Sequence, residues 1–408
     1  MDILNNYNNN KENILYSQFS DVENDRKKVV SNFSSNYFNK KNNESLKNVK
    51  LEKFLDLKYK YILSENSSIS KKNVDETYSI VLVNGQCKNF TDENIEVSNL
   101  TGENSKDYFN NNLSKTNDFF IDLNSLFLNS GFKIKVKKNK KVNIVISNIV
   151  SEEELTVFQK NFILCEEGSS LDLIEEYENS NNSINNVFSI LDLKEKALLQ
   201  HSIIQDNSDN HDLIFSTFSN CYKESSYYQR VYNFSEGYVR NFHFSDLNDI
   251  NSSVDLKGYF FLKDSNISNN KTFVKHLAEN CKSNQIYKGI LNNNSKASYY
   301  SNTHVDSAAQ KTEGYQLSKG ILLSENASYF SKPELKIYAD DVKCSHGSTI
   351  GPIDENAIFY LRSRGVTKKE ATKILVSSFV NEDLNNIKNI KVSEIVQKKL
   401  ITYLNQLK

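Results

Sequence analysis

Two side chains with ligand chemistry stand two residues apart near the end of the chain, in Cys344-Ser-His346. On an extended strand, positions i and i+2 face the same side. A thiolate and an imidazole pointing together suit one soft or borderline metal such as iron, and the same pair is the start of a Cys-His nucleophile. Two donors are only half a tetrahedral site. No other Cys or His lies near them in sequence, so further ligands must come from folding or from a second chain. A half-buried cysteine beside a surface histidine also accounts for the pair. Adjacent strand residues face opposite sides, so Asp340-Asp341 reads as a strand-end turn before it reads as a shared carboxylate site. His276 and Cys281 are five apart, and His201, His211, His243 and His304 are isolated. Such residues are expected at the surface or as hydrogen-bonded core. Glu175-Glu176 is expected on a solvated face.

The missing motifs narrow the chemistry. There is no GxxxxGK[ST] or GxGxxG to cradle phosphates, and no GxSxG or HExxH. The chain cannot itself hydrolyse ATP by a P-loop mechanism.

The elements that position Cys344 and His346 change character around them. The stretch from Lys332 to Gly351 contains Pro333 and is followed by Pro352, the two prolines of the chain. Downstream the signals are helical. Asp354 can cap a helix that stops at Gly365. Thr367-Lys-Lys-Glu370 is a capping box opening a helix with the apolar stripe Ala371, Ile374, Leu375 and Phe379. Ser393 is placed to cap a last helix carrying Val396, Leu400, Ile401 and Leu404, with Lys391, Lys398 and Lys399 around its polar side. Upstream, from about Phe158 to Tyr338, strand follows strand with no helix between, which points to a sandwich, barrel or solenoid. Lys257-Gly258, Lys288-Gly289 and Lys319-Gly320 each open an apolar run at 31-residue intervals (289 − 258, 320 − 289). Small pairs before alternating residues recur at Ser169, Ser225, Ser252, Ala297 and Ala327. Repeats near this length with several short strands each favour a parallel β-helix, with a β-sandwich still open on pattern alone. Earlier, Tyr78-Ser-Ile-Val-Leu-Val-Asn-Gly85 is a strand ending in a turn signal. Residues from about 12 to 63 lean helical, behind an Asn-rich tip expected to fray.

Composition sets the class. Fifty basic and 51 acidic residues among 408 leave a net charge of -1, which offers no electrostatic case for nucleic acid or an anionic membrane. Five scattered cysteines without CxxC argue against a disulfide framework and for a reducing compartment. No apolar run reaches a membrane span, and the first residues lack a secretory pattern. A cytoplasmic protein is expected.

The run from Lys332 to Gly351, followed by Ala357-Ile-Phe-Tyr-Leu-Arg-Ser-Arg-Gly365, closely resembles the SufD family of iron–sulfur cluster assembly proteins. Tyr287-Lys-Gly-Ile-Leu291, Ala309-Gln-Lys-Thr312, Tyr315-Gln316 and Leu322-Leu-Ser324 fit that family in the same order, as do Val83-Asn-Gly85 and Glu175-Glu-Tyr177. The sister SufB family lacks the Asp-Asp-Val-Lys-Cys-Ser-His-Gly run. The family's tryptophan-containing N-terminal segment has no counterpart in a chain with no Trp. The resemblance implies a mainly β chain: a right-handed parallel β-helix over 78–350 between an N-terminal helical region, 1–77, and a C-terminal helical domain, 351–408. It implies a non-catalytic scaffold that pairs with SufB along the β-helix and docks the ATPase SufC on the C-terminal helices, binding no nucleotide itself. Cys344 and His346 then face SufB and help hold iron or a nascent cluster. A homodimer of the isolated chain is left open. The competing readings are a β-helical enzyme acting on polysaccharide and a purely structural β-solenoid.

Overall fold

The computed structural model describes residues 29–30, 67–72, 77–100, 118–208 and 210–407. Their strands form two ten-stranded sheets. The chain alternates between them, so each strand pairs in parallel with the strand one coil away. Lys282–Leu291, for example, lies between Ser253–Leu262 and Thr312–Leu322. This is the parallel β-solenoid that the repeats suggested. Inward positions alternate with outward ones, and they stack in rows along the axis. Leu171, Leu199, Tyr227 and Val254 form one such apolar row.

One corner repeats from coil to coil in left-handed backbone conformation, at Asn139, Gly168, Lys196, Glu224, Asn251, Asn280 and Lys311. Each corner N–H donates to a carbonyl of the next coil, as from Lys196 to Lys223 O at 2.9 Å and from Glu224 to Ile250 O at 3.0 Å. Those bonds offset the cost of a conformation that lysine and glutamate rarely adopt. A second corner carries an amide ladder. Asn179 Oδ1 accepts from Val150 N, Asn207 Oδ1 from Asn179 N, and Ser235 Oγ from Asn207 N, each at 2.9 Å.

The Lys-Gly repeat has a packing cause and an imperfect register. Gly289 pairs with Gly320, but it stands opposite Phe260, not Gly258. Each glycine makes room for a ring: a Cβ on Gly258 would lie 2.3 Å from Tyr287, one on Gly289 2.1 Å from Phe260, and one on Gly320 2.4 Å from Tyr329. Ala297 likewise pairs with Tyr329 and not with Ala327. The period was therefore readable, while some equivalences slip by two residues.

The two ends of the solenoid differ. At the N-terminal end the pairing turns antiparallel, with Ser68–Lys72 on Thr77–Val83 and Ile95–Asn99 on Ser130–Val136. Among the described residues the first strand is Ser68–Lys72, inside the stretch 1–77 expected to be helical; its Ser-Ile-Ser alternates. Of the remainder of 1–77, Val29 and Val30 are helical, Ser67 precedes the strand, and the other expectations for that region lie outside the described residues. At the C-terminal end, Val342–Pro352 and Ser328–Ile337 are the outermost strands of their sheets, and no further coil follows among the described residues.

Four helices are described. Helix α1, Phe119–Leu126, is buried throughout and was not expected from sequence. Its cap, Asp118, is ion-paired with Arg240, itself buried on the outer face of a sheet beneath Phe120. Helix α2, Glu355–Ser363, is capped by Asp354 as expected. Helix α3, Lys368–Leu384, has the Thr367–Glu370 capping box. Helix α4, Ile390–Gln406, is capped by Asn389, not by Ser393. The Asn389 amide also reaches Asp172 Oδ2 of the solenoid at 3.0 Å, which ties the start of α4 one turn earlier than the expected cap.

Candidate functional site

Cys344 and His346 lie on Val342–Pro352, the last strand of its sheet, which pairs on one side only. Their positions align with Gly314 and Gln316 of the preceding coil. In earlier coils these positions face the lumen and are covered by the next coil. Here nothing described covers them. His346 is therefore exposed and Cys344 only half-buried. Among the described residues no further strand pairs with its outer edge, and Phe330, Ile337 and Tyr338 are exposed beside it. Such an edge is a template for pairing with another chain. Partial burial pushes the Cys344 thiol above its ordinary range, opposed by a backbone hydrogen bond at Gly314. A metal bound there would have to displace the thiol proton.

The structure brings Cys344 and His346 to one place and leaves the other candidates apart. Among the described residues no group of three or more His, Cys, Asp or Glu is arranged to hold a metal ion. Asp340 and Asp341 sit in the turn between the last two strands, where Asp341 O accepts from Lys311 N and Asp341 N donates to Gln310 Oε1 at 3.0 Å. Cys87, Cys165, Cys221 and Cys281 are buried; burial pushes the first three to about 12. They are inert thiols. Four histidines are interior and hydrogen-bonded. His211 Nδ1 meets Ser183 Oγ at 2.7 Å, and His276 Nε2 meets Ser283 Oγ at 2.8 Å. His304 packs against Tyr338. His346 is the exposed one of the six.

The expectation for Glu175 is overturned. It is fully buried in the lumen, where Tyr177 OH donates to it at 2.6 Å and His201 Nε2 lies 3.0 Å away. From His201 the contacts continue to Tyr227 OH at 3.2 Å, then from Tyr227 to Gln229 at 2.8 Å and on to His243 at 3.1 Å. Alternation in a strand assigns Glu175 and Glu176 to opposite faces but does not say which face is inside. Only Glu176 is outward, where Lys391 pairs with it at 3.3 Å.

The C-terminal helices lie along the outside of the same sheet that ends in Val342–Pro352. Val376, Val380, Leu384, Val392, Val396, Leu400 and Tyr403 pack on Val145, Ile174, Ile204, Tyr232, Tyr259, Phe261 and Ile290. The face of α3 is rotated from the expected stripe, and Ile374 is exposed. Of the lysines expected on the polar side of α4, Lys391 and Lys399 instead pair with the solenoid at Glu176 and Asp206. Lys288, almost fully buried, meets Asp383 at 2.5 Å. Helix α2 is mostly exposed, and Phe359 and Tyr360 stand out on it at 73% and 58% accessibility.

Fold and site define a β-solenoid protein whose last coil, uncovered among the described residues, carries Cys344 and His346, with helices packed along its flank. The profile described as SUF system FeS cluster assembly, SufBD core domain, matches residues 148–379, over half of the chain. The chain belongs to that family, on its SufD side. It is 26% identical to the Escherichia coli iron–sulfur cluster assembly protein SufD over 279 residues, covering 65% of this chain and 64% of that one. Identity to the Arabidopsis thaliana chloroplastic protein ABCI7 is 29% over 241 residues, 57% of this chain and 50% of that protein. A Synechocystis SufBD family protein is 41% identical over a shorter stretch of 104 residues, 26% of this chain and 23% of that one. The chain thus spans less than two thirds of the length of each of these relatives. No helix among the described residues is long and apolar enough to cross a membrane.

Proposed function

We propose that this chain is a cytoplasmic, non-catalytic scaffold subunit for iron–sulfur cluster assembly. Its uncovered last coil pairs with SufB, and its C-terminal helices dock SufC, which supplies the ATP hydrolysis for which this chain has no phosphate loop. Cys344 and His346 give two ligands to iron or to a nascent cluster, and SufB gives the rest. The observation that carries the reading is the coincidence, on one edge strand paired on one side only, of the exposed histidine and the one cysteine that is not buried. Docking of SufC is supported by the exposed Phe359 and Tyr360 on α2, which touches the solenoid little. The ion-paired, apolar seam under α3 and α4 would carry motion of the helices into the stiff solenoid, so that closing of two SufC subunits shifts the SufB contact.

Anaerobic co-expression with SufB and SufC, followed by iron and sulfide analysis of the purified complex, tests this reading. A three-subunit complex that accumulates iron and sulfide supports it. A chain that leaves SufB and SufC behind sinks it. Replacing Phe359 and Tyr360 by Lys should sharply weaken SufC binding while SufB binding persists; retained SufC would place that contact elsewhere.

A further inference from the structure

We infer that Gln316 is a positioning residue for His346: its side-chain oxygen accepts an imidazole N–H and so fixes which ring nitrogen is left free to meet a ligand. The inference rests on the proposal that His346 acts as a ligand. Gln316 is 3% exposed and lies directly beneath His346 in the parallel register, on the same face. Its Nε2 donates to Thr303 Oγ1 at 2.8 Å and to the carbonyl of Glu334 at 3.2 Å. A carbonyl only accepts, so the amide cannot be flipped without setting oxygen against oxygen. Oε1 therefore points the other way, and there it is buried with no partner.

The amide is held in this orientation by a chain that crosses three coils. Thr272 Oγ1 meets Tyr299 OH at 2.9 Å and donates to Gln285 Oε1 at 2.5 Å. That contact leaves Gln285 Nε2 to donate to Thr303 Oγ1 at 2.8 Å, the same oxygen that accepts from Gln316. A buried acceptor without a donor is unfavourable, and the next side chain in its row is the one exposed imidazole of the protein. Ser331 Oγ, another buried partnerless group near this end, is not bonded to it. In the uncovered end face His346 is turned to solvent. Folding back over Gln316 gives Oε1 its donor and leaves the second ring nitrogen unprotonated and facing outward, the arrangement that makes histidine a metal ligand.

The test is the tautomer of His346 in the full chain, read from long-range proton–nitrogen correlations on ¹⁵N-histidine-labelled protein, with His346→Ala identifying the signal. Wild type is expected to show one protonated-type and one unprotonated-type nitrogen above the titration range. Gln316→Leu should collapse the two shifts toward an averaged pair, as should Gln316→Met, which keeps the length of the side chain and removes its acceptor. If Gln316→Leu does not fold, Gln316→Met carries the comparison alone. An averaged pair in wild type, or shifts unchanged in a folded variant, overturns the inference. Because no iron is involved, its failure is distinct from failure of the ligand role, which is read from iron loading of His346→Ala.

Discussion

Acid should loosen this solenoid through the histidines sealed in its interior. Burial lowers His211 and His276 to about 4, and burial together with nearby His201 lowers His243 to about 3, from an ordinary value of 6.5. The folded values lie below the unfolded one, so the unfolded chain binds more protons in between. The contribution to stability is therefore complete above about pH 6.5 and is lost as pH falls toward 4. At 1.36 kcal/mol per unit, His211 and His276 each account for about 3 kcal/mol and His243 for about 5. Where all three differ in protonation, stability should fall by about 4 kcal/mol per pH unit. That is steep against a typical total of about 5–15 kcal/mol. The assay is urea unfolding between pH 7 and 4.5, followed by far-ultraviolet circular dichroism and tyrosine fluorescence, since the chain has 22 Tyr and no Trp. His243→Gln removes one of the three protons and should flatten the dependence by about 1.4 kcal/mol per pH unit. Carboxylates titrate alike in both proteins and cancel in the comparison. An unchanged slope in the variant would show that His243 is not held neutral by its burial.

Three further outcomes are expected. Gly289→Ala sets a methyl against the Phe260 ring, where a Cβ falls at 2.1 Å, and should cost about 1–3 kcal/mol by overpacking; thermal melting checks it, and Gly351→Ala, with nothing within 4 Å, is the control. Asp383→Ala leaves Lys288 nearly buried without its 2.5 Å partner, a loss of about 3 kcal/mol, seen as faster hydrogen exchange in α3 and α4 than in the solenoid; uniform exchange would mean that the pair does not hold the helices down. Replacing exposed Phe330 and Tyr338 by Lys should weaken capture of SufB in a pull-down while the melting temperature holds, and undiminished capture would move that contact off the last coil.

The coil period was legible because successive coils face the same steric demands: a tight corner, alternating faces and, at Gly258, Gly289 and Gly320, room for a ring. Register was less legible. Gly258 and Gly289 answer the same demand from positions two residues out of step, because either can make room for an aromatic ring. The Cys344 and His346 pair was visible as two donors on one strand face, but their exposure depends on the strand being the last of its sheet, which no local pattern encodes. Glu175 was misplaced because a strand pattern gives alternation without saying which side is lumen. Only its hydrogen bonds to Tyr177 and His201 explain a buried carboxylate. Helix α1 had one local signal, Asp118 ahead of Phe119-Phe-Ile121, hidden beside a polar stretch. Gln316 carried no chemistry-bearing residue type, and only the register beneath His346 picks it out.

The central claim is that this chain's last coil supplies ligands to a shared site. The most direct measurement is the iron and sulfide content of the SufB–SufC complex assembled anaerobically with His346→Ala, alongside wild type and Cys344→Ala. Subunits should remain together in equal amounts, since His346 is exposed. Iron and sulfide should fall sharply in His346→Ala. An intact complex carrying its full complement of iron and sulfide would remove His346 from the site and leave this chain a structural partner.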